Sequence, residues 1–258
     1  MIDTMELQQF RDLMLATESL DIGGIRDNQL ARRVGAFQRR AGFRTTPDLV
    51  ASLRRDAALR ERFVEGLTIN VTNFFRNADQ WIRIRDEVLP ELDRPAPSMW
   101  SAGCSTGAEA YTMAMVAMDA GLMPTILATD IDRGALAVAS SGTYPIDSLR
   151  EVPEDEIKRH FAVTGDTVAI KPGLETMIEF RRHDLLSDPL PNRQFDFIAC
   201  RNVAIYFSEE AKRKLHTRLA DATSPGGILF VGGAERISHP KDIGLEMVRP
   251  QLYMRSAP

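Results

Sequence analysis

Hydrophobic positions fall into two regimes along the chain, with the change near residue 77. Before it, apolar residues recur every three or four positions: Leu7, Phe10, Leu13 and Met14, then Leu30, Val34 and Phe37, then Val50, Leu53 and Ala57. That spacing puts them on one face of a helix, so the segment predicts a series of amphipathic helices. Asp21 to Gly24 and Gly42 to Pro47 supply the breaks. From about residue 96, short apolar runs alternate with helical stretches. SMWSAGC reads as a strand ending in a glycine turn, AEAYTMAMVAMDAG as a helix ended by Gly121, TILATDID as a strand and RGALAVASSGTY as a helix. FDFIACRNV follows as a strand, then a helix over roughly Glu209 to Ala222, then an SPGG turn into ILFVGG. Such alternation predicts an α/β domain with a mostly parallel sheet covered by helices on both faces. One stretch departs from it. Val163 to Arg182 is rich in β-branched residues, holds a PG turn and leaves no room for a helix, which predicts a small antiparallel insertion. The chain thus divides into a helical N-terminal domain and linker, 1–76, and an α/β domain, 77–258, with an inserted β-subdomain at 163–183.

Composition narrows the class. The 44% hydrophobic and 26% charged residues are those of a soluble globular protein. No apolar run reaches the roughly 18 residues of a membrane-spanning helix. The start, MIDTMELQQFRDLM, lacks the basic n-region and apolar core of a signal peptide. A cytoplasmic protein, not membrane-inserted, is expected. Cys104 and Cys200 suit a reducing compartment and offer no metal-ligand spacing, so no metal is expected. The formal charge of −4 weighs against a nucleic-acid partner. Locally the charge reverses, with Arg26, Arg32, Arg33, Arg39, Arg40 and Arg44 around the second helix. These form either a solvated helix face or a docking surface for an acidic partner. No long apolar surface stripe is evident, so a monomer is expected.

Trp100 to Tyr111, WSAGCSTGAEAY, is a strand, glycine loop and helix in succession. Gly103 and Gly107 allow backbone conformations that a Cβ would block. Open parallel sheets bind ligands at the carboxyl ends of their strands. The spacing G-x-x-x-G departs from the dinucleotide fingerprint G-x-G-x-x-G, which disfavours a pyrophosphate and hence an NAD-linked oxidoreductase. A little over twenty residues on, the second strand ends in ATDID. There Asp130 is placed to accept hydrogen bonds from ribose hydroxyls. Asp132 competes for that role or caps the next helix. Glu109 either complements the helix dipole or meets a cationic part of a cofactor. Cys104 has no nearby histidine and reads as loop packing.

Several of these motifs together resemble one family. LTINVTNFFR (Leu67 to Arg76), WSAGCSTGAEAYTMAM, ATDID, SGTYP, CRNVAIYF (Cys200 to Phe207) and PGGILFVGGAE are similar, in order and separation over nearly the whole chain, to the bacterial chemotaxis receptor methyltransferases, the CheR family. The resemblance implies a helical N-terminal domain. It implies a Rossmann-like domain that binds S-adenosylmethionine (SAM), with S-adenosylhomocysteine as product, and a small antiparallel β-subdomain inserted in it. It also implies transfer of methyl groups to glutamate side chains of receptors. By motif, the implied cofactor contacts are Asn70, Thr72, Arg76, Glu109, Asp130, Asp184, Leu185, Arg201 and Asn202, and the implied catalytic residues are Arg76 and Tyr206. Two departures stand out. Ala108 and Ala110 occupy positions where the family often has Glu and Pro, and Asp184 occupies one where many members have Asn.

A glutamate substrate is ionised at neutral pH, with a reference pKa of about 4.3, so methylation needs no general base. Tyr206 would orient the carboxylate, and Arg76 would pair with a carboxylate of the cofactor or of the substrate. Outside the motifs, the same residues read as a core tyrosine and a linker salt bridge, and His183 as a strand-end residue. Rival readings are a methyltransferase of a small molecule or nucleic acid and a non-catalytic SAM-binding regulatory module. The first is disfavoured because RNVAIY lacks the proline pair of base-methylating enzymes. The second is disfavoured because Tyr206, Arg76, Asn202 and Asp130 are all present. The basic helix around Arg32 to Arg44 would hold the acidic, helical, cytoplasmic region of a receptor. The insertion is short around Gly173, where family members that tether to a receptor's C-terminal pentapeptide carry a longer glycine-containing loop. No such tether is expected: in a fluorescence titration an isolated tail peptide should not bind the 163–183 region, and tight binding there would contradict this reading.

Overall fold

The computed structural model describes residues 2–18, 20–67 and 72–257. Residue contacts divide it into two compact units. One comprises Met1–Ile69, Asp184–Pro189 and Val203–Leu215; the other comprises Asn70–His183, Leu190–Asn202 and His216–Pro258.

The first unit is built on α1 (Thr4–Glu18), α2 (Asp27–Arg40), α3 (Thr46–Arg55) and α4 (Ala57–Leu67). The helix α3 begins where Thr45 accepts the Asp48 N–H at 3.3 Å and Pro47 fills the first turn. The periodic residues Leu7, Phe10, Leu13, Met14, Leu30, Val34, Phe37, Val50 and Leu53 are all buried. Ala57 is exposed, because α3 stops at Arg55 and Ala57 opens the next helix in a different phase. At the centre, Phe63 stacks on Phe10 with ring centroids 5.5 Å apart and meets Phe37 edge-on at 5.2 Å. The later segment 203–215 joins this unit through backbone pairing. Ile25 bridges to Phe207, the Arg26 N–H donates to the Tyr206 carbonyl at 3.2 Å, and the Ser208 N–H donates to the Gly24 carbonyl at 2.8 Å. The hydrophobic pattern divides the chain after residue 76; the contacts differ because these hydrogen bonds carry 203–215 into the helical unit.

The second unit opens with α5 (Ala78–Arg83) and a wider helical turn, Ile84–Val88. It continues with β1 (Ser98–Ala102), α6 (Ala108–Asp119), β2 (Thr125–Asp130), α7 (Arg133–Ser141) and β3 (Thr143–Pro145). Next come α8 (Glu154–His160), β4 (Phe161–Thr164), β5 (Thr167–Ile170), β6 (Ile178–Arg182) and β7 (Phe195–Cys200). The helix α9 (Glu209–Ala222) begins in the first unit and ends in the second, and β8 (Thr223–Val231), β9 (Leu245–Arg249) and β10 (Leu252–Arg255) close the chain. The main sheet has the order β6-β2-β1-β7-β8-β10-β9. The first five strands run parallel, and β10 and β9 are antiparallel additions. Every residue of β7 is buried, as a central parallel strand covered on both faces requires. The strand order reverses beside β1, so the ends of β1, β2 and β7 are where a ligand crevice forms.

The antiparallel insertion is a three-stranded sheet, β3-β5-β4, with Val168 opposite both Tyr144 and Val163. Its extent differs from the 163–183 read in the sequence. Ile178–Arg182 pairs in parallel with β2, Ile178 opposite Ile126, and belongs to the main sheet, while Thr143–Pro145 supplies the third strand of the small one. A short β-rich run carries no local signal of which sheet it will join.

Phe63 is fully buried between two other rings, so Phe63→Ala should lower the stability of the helical unit by about 3–5 kcal/mol in a denaturant titration. A loss under about 1 kcal/mol would mean that the helices close over the cavity.

Candidate active site

The loop between β1 and α6 is held by the end of β2. The N–H groups of Gly103 and Cys104 donate to the Thr129 carbonyl at 2.8 and 2.9 Å. The Ser105 N–H donates to Asp130 Oδ2 at 2.7 Å, and Asp130 Oδ1 accepts the Asp132 N–H at 2.9 Å. Gly107 has φ +85°, and a Cβ there would lie 2.7 Å from Ala139 Cβ, so the loop can meet α7 this closely only without a side chain. Gly103, Ser105, Thr106 and Asp130 keep part of their surface open to solvent. Asp132 is buried and accepts the Ala135 N–H at 3.0 Å, which makes it the cap of α7. Burial pushes the Asp130 carboxyl above its ordinary range, against the N–H groups of Asp132 and Ser105. A carboxylate has about four lone-pair sites, so accepting two N–H groups leaves Asp130 capacity for a ligand's hydroxyls. Cys104 is buried and its thiol is pushed well up by that burial, so it stays protonated and is no nucleophile.

A second network joins α6 to the linker. Ser101 Oγ donates to Glu109 Oε1 at 2.8 Å, and Arg201 Nη1 lies 3.5 Å from Glu109 Oε2. Burial raises the Glu109 carboxyl although Arg201 draws it down. The side chain of Arg201 is 2% exposed. Its Nη2 donates to the Arg76 carbonyl at 2.9 Å, to Asn77 Oδ1 at 2.9 Å and to Gln80 Oε1 at 3.3 Å. Its guanidinium also lies over the rings of Trp81 and Phe230, at 5.3 and 4.7 Å. Arg201 therefore directs both Nη groups to the protein, fixing the linker that carries Arg76, while its buried Nε has no hydrogen-bond partner among the described residues. Arg76 and Thr72 are half-buried, and Asn70 lies outside the described residues.

Asn202 has φ +62° and donates its N–H to Glu235 Oε2 at 2.7 Å. The same oxygen accepts the Gly232 N–H at 2.8 Å, and a Cβ on Gly232 would sit 2.4 Å from it. Glu235, Gln80 and Asn77 are absent from the residues read as functional in the sequence. Glu235 had a signal, an acid two residues after the strand-end glycine pair in VGGAE; Gln80 and Asn77 had none. His183 is a buried strand-end residue, donating its N–H to the Asp130 carbonyl at 3.0 Å and lying edge-on to Trp100 at 5.8 Å.

Asp184, Leu185 and Tyr206 belong to the helical unit, and the other described candidates to the sheet unit. Asp184 Oδ1 accepts the Leu186 N–H at 2.9 Å, Oδ2 lies 3.4 Å from the Asp21 N–H, and its own N–H donates to Asp188 at 2.8 Å. Its side chain acts only as an acceptor in these bonds, a role that Asp fills as well as Asn. Leu185 is buried. Tyr206 is half-buried in a short turn, Ala204–Tyr206. The guanidinium of Arg33 lies 4.3 Å from its ring centroid, inside cation–π range. Of the six arginines around α2, Arg33 alone is buried, and burial pulls its pKa down. A cleft of about 360 Å³, lined by Phe37, Arg40, Arg62, Glu65 and Gly66, also lies in this unit. It contains no nucleophile or acid–base pair, so it carries no chemistry of its own.

Residues 70–251 match the family "CheR methyltransferase, SAM binding domain". A chemotaxis protein methyltransferase of Listeria monocytogenes is 37% identical over 243 residues, covering 92% of each chain. Chemotaxis protein methyltransferase 1 of Pseudomonas aeruginosa is 30% identical over 254 residues, again covering 92% of each. A probable chemotaxis protein methyltransferase of Rhizobium etli is 37% identical over 77% of this chain and 79% of its own. The residues present fit SAM, with remaining acceptor capacity on Asp130, a partly exposed glycine loop and the acid Glu109 beside it.

Asp130→Ala removes the acceptor of two loop amides, each bond to a charged group being worth about 1.5–3 kcal/mol. Hydrogen exchange at the Ser105 and Asp132 amides should accelerate at least about tenfold, and unchanged exchange would show that the loop is held without it.

Proposed function

Because the chain belongs to the CheR methyltransferase family and is a SAM-dependent methyltransferase, we propose that its substrates are glutamate side chains in the cytoplasmic helical region of chemotaxis receptors. The observation that carries this reading is Asp130 closing the glycine loop at the end of β2, in a chain 37% identical over nearly its full length to a chemotaxis protein methyltransferase. Bound SAM supplies a methyl group already activated by its sulfonium. The protein's part is to bind and orient. Asp130 accepts the ribose hydroxyls, the Gly103–Gly107 loop admits the nucleoside, and Glu109 places negative charge near a cationic ligand. The family's motifs add Thr72, Asn202, Asp184 and Leu185 as further cofactor contacts. Arg76 pairs with a carboxylate of cofactor or substrate, and Tyr206 orients the receptor glutamate through its hydroxyl. No general base is required of the chain, since the substrate is ionised at neutral pH with a pKa of about 4.3. Orientation alone can supply roughly 7–11 kcal/mol of the barrier lowering.

Arg26, Arg32, Arg39, Arg40 and Arg44 are exposed on and beside α2. They suit an acidic helical partner, which such a patch would steer and hold. Arg33, turned inward, holds the Tyr206 ring. Only Lys171, Pro172 and Gly173 separate β5 from the short turn Leu174–Met177, and this short loop around Gly173 supports docking without a pentapeptide tether. The proposed setting is a monomer in the cytoplasm, acting on the receptors' inner ends; no helix of the described residues is long and apolar enough to cross a membrane.

Incubation with radiolabelled SAM and receptor membranes tests the reading. Label should enter receptor glutamates, and Tyr206→Phe and Arg76→Ala should each lower turnover at least about tenfold, or about 1.4 kcal/mol. Raising ionic strength past about 0.5 M should weaken receptor methylation while calorimetric SAM binding barely changes. Full turnover in both variants would remove the catalytic assignment; SAM binding without receptor labelling would remove the substrate.

A further inference from the structure

At the opposite end of α6 from the glycine loop, three potential metal ligands converge. Glu156 and His160 stand four residues apart on α8, hence on one face of that helix, and Asp119 ends α6. One donor atom from each lies within 4.8 Å of the others. The cluster is buried, with side-chain exposures of 11% for Asp119, 2% for Glu156 and 12% for His160.

The polar atoms here are incompletely satisfied. Arg159 donates to Asp119, Asp155 and Glu156. Even so, Asp119 Oδ2, Glu156 Oε2 and His160 Nε2 are buried and have no hydrogen-bond partner among the described residues. Unpaired buried polar atoms are costly, and three in one cluster need a common explanation. A shared proton explains part of it: burial, with Asp119 alongside, pushes the Glu156 carboxyl up to about 7. One proton joins two oxygens, however, and the imidazole nitrogen faces only Glu156 Oε2, at 3.4 Å, a separation longer than a good N–H···O bond. A cation answers all three. Tetrahedral bonds of about 2.0–2.1 Å put donor atoms roughly 3.4 Å apart. His160 Nε2 and Glu156 Oε2 are already 3.4 Å apart.

We propose that Asp119, Glu156 and His160 form a binding site for one divalent transition cation, which fastens the end of α6 to α8 and, through the directly following β4, to the small sheet. Two carboxylate oxygens and one imidazole suit Zn²⁺ or a neighbouring metal and leave a fourth position for water. Arg159, with a side chain 44% exposed, can turn into solvent when the cation replaces its charge. Cysteine thiols do not compete, because Cys104 and Cys200 are both buried.

The test is calorimetric titration of the full, chelator-treated chain with Zn²⁺ at pH 7.5. One Zn²⁺ should bind per chain, tighter than about 100 µM, and raise the melting temperature. His160→Ala and Asp119→Asn should each weaken binding at least about tenfold and abolish the melting shift, while melting like the wild type in chelator. Arg159→Gln keeps all three ligands and removes the competing cation, so it should bind Zn²⁺ more tightly; it decides the matter if the other variants do not fold. Absence of one-to-one binding, equal affinity in the ligand variants, or no gain in Arg159→Gln would overturn the proposal and leave an ion-pair network closed by Arg159 and a proton.

Discussion

One buried guanidinium organises the carboxyl edge of the sheet. Arg201 is withdrawn almost wholly from water, and a charge so placed is tolerable only if its donors find acceptors. Its two Nη groups find them in the Arg76 carbonyl, Asn77, Gln80 and Glu109, and only Nε goes without among the described residues. Those four lie on the linker, on α5 and on α6, so satisfying one residue at the end of β7 places three other elements. Beside it, Phe75, Asn77 and Asn202 take left-handed conformations without being glycine, as do Ser105 in the glycine loop and Asp93, His239 and Gln251 elsewhere.

The same edge is acidic. Asp130, Glu109 and Glu235 end or flank β2, β1 and β8, and each is engaged in holding backbone or side chain in place. Burial raises the carboxyls of Asp130 and Glu109, so both gain from a positively charged ligand. A sulfonium cofactor supplies that charge where a dinucleotide's pyrophosphate would repel it. The exposed arginines lie instead on and beside α2 in the helical unit, so the two oppositely charged surfaces are carried by different parts of the chain.

Much of this was legible in the order of residues. The helix and strand periods of the parallel sheet are local, as is the four-residue spacing of Gly103 and Gly107. The break at ATDID also marks Asp130, and Asp132 as the rival that could cap α7, which it does. The roles of Arg201 and Arg33 were not legible, because an arginine in a motif or on a basic helix gives no sign of whether it faces ligand, partner or core. Ile178–Arg182 was assigned to the wrong sheet for a related reason: a five-residue β run has the same pattern whichever neighbour it pairs with.

Amino-acid order alone determined the class of protein here: an α/β sheet, a glycine loop answered by an acid, and motifs in the family's order. Those depend on nearest neighbours along the chain and on side-chain period, which the sequence states directly. Tertiary structure decided which charges turn inward. The burial of Arg201 and Arg33, the Glu235 bond to Asn202 and the meeting of Asp119 with Glu156 and His160 all join residues far apart in the sequence, 33 positions in the case of Asn202 and Glu235. Contacts of that range depend on how whole elements pack, and no local pattern encodes them.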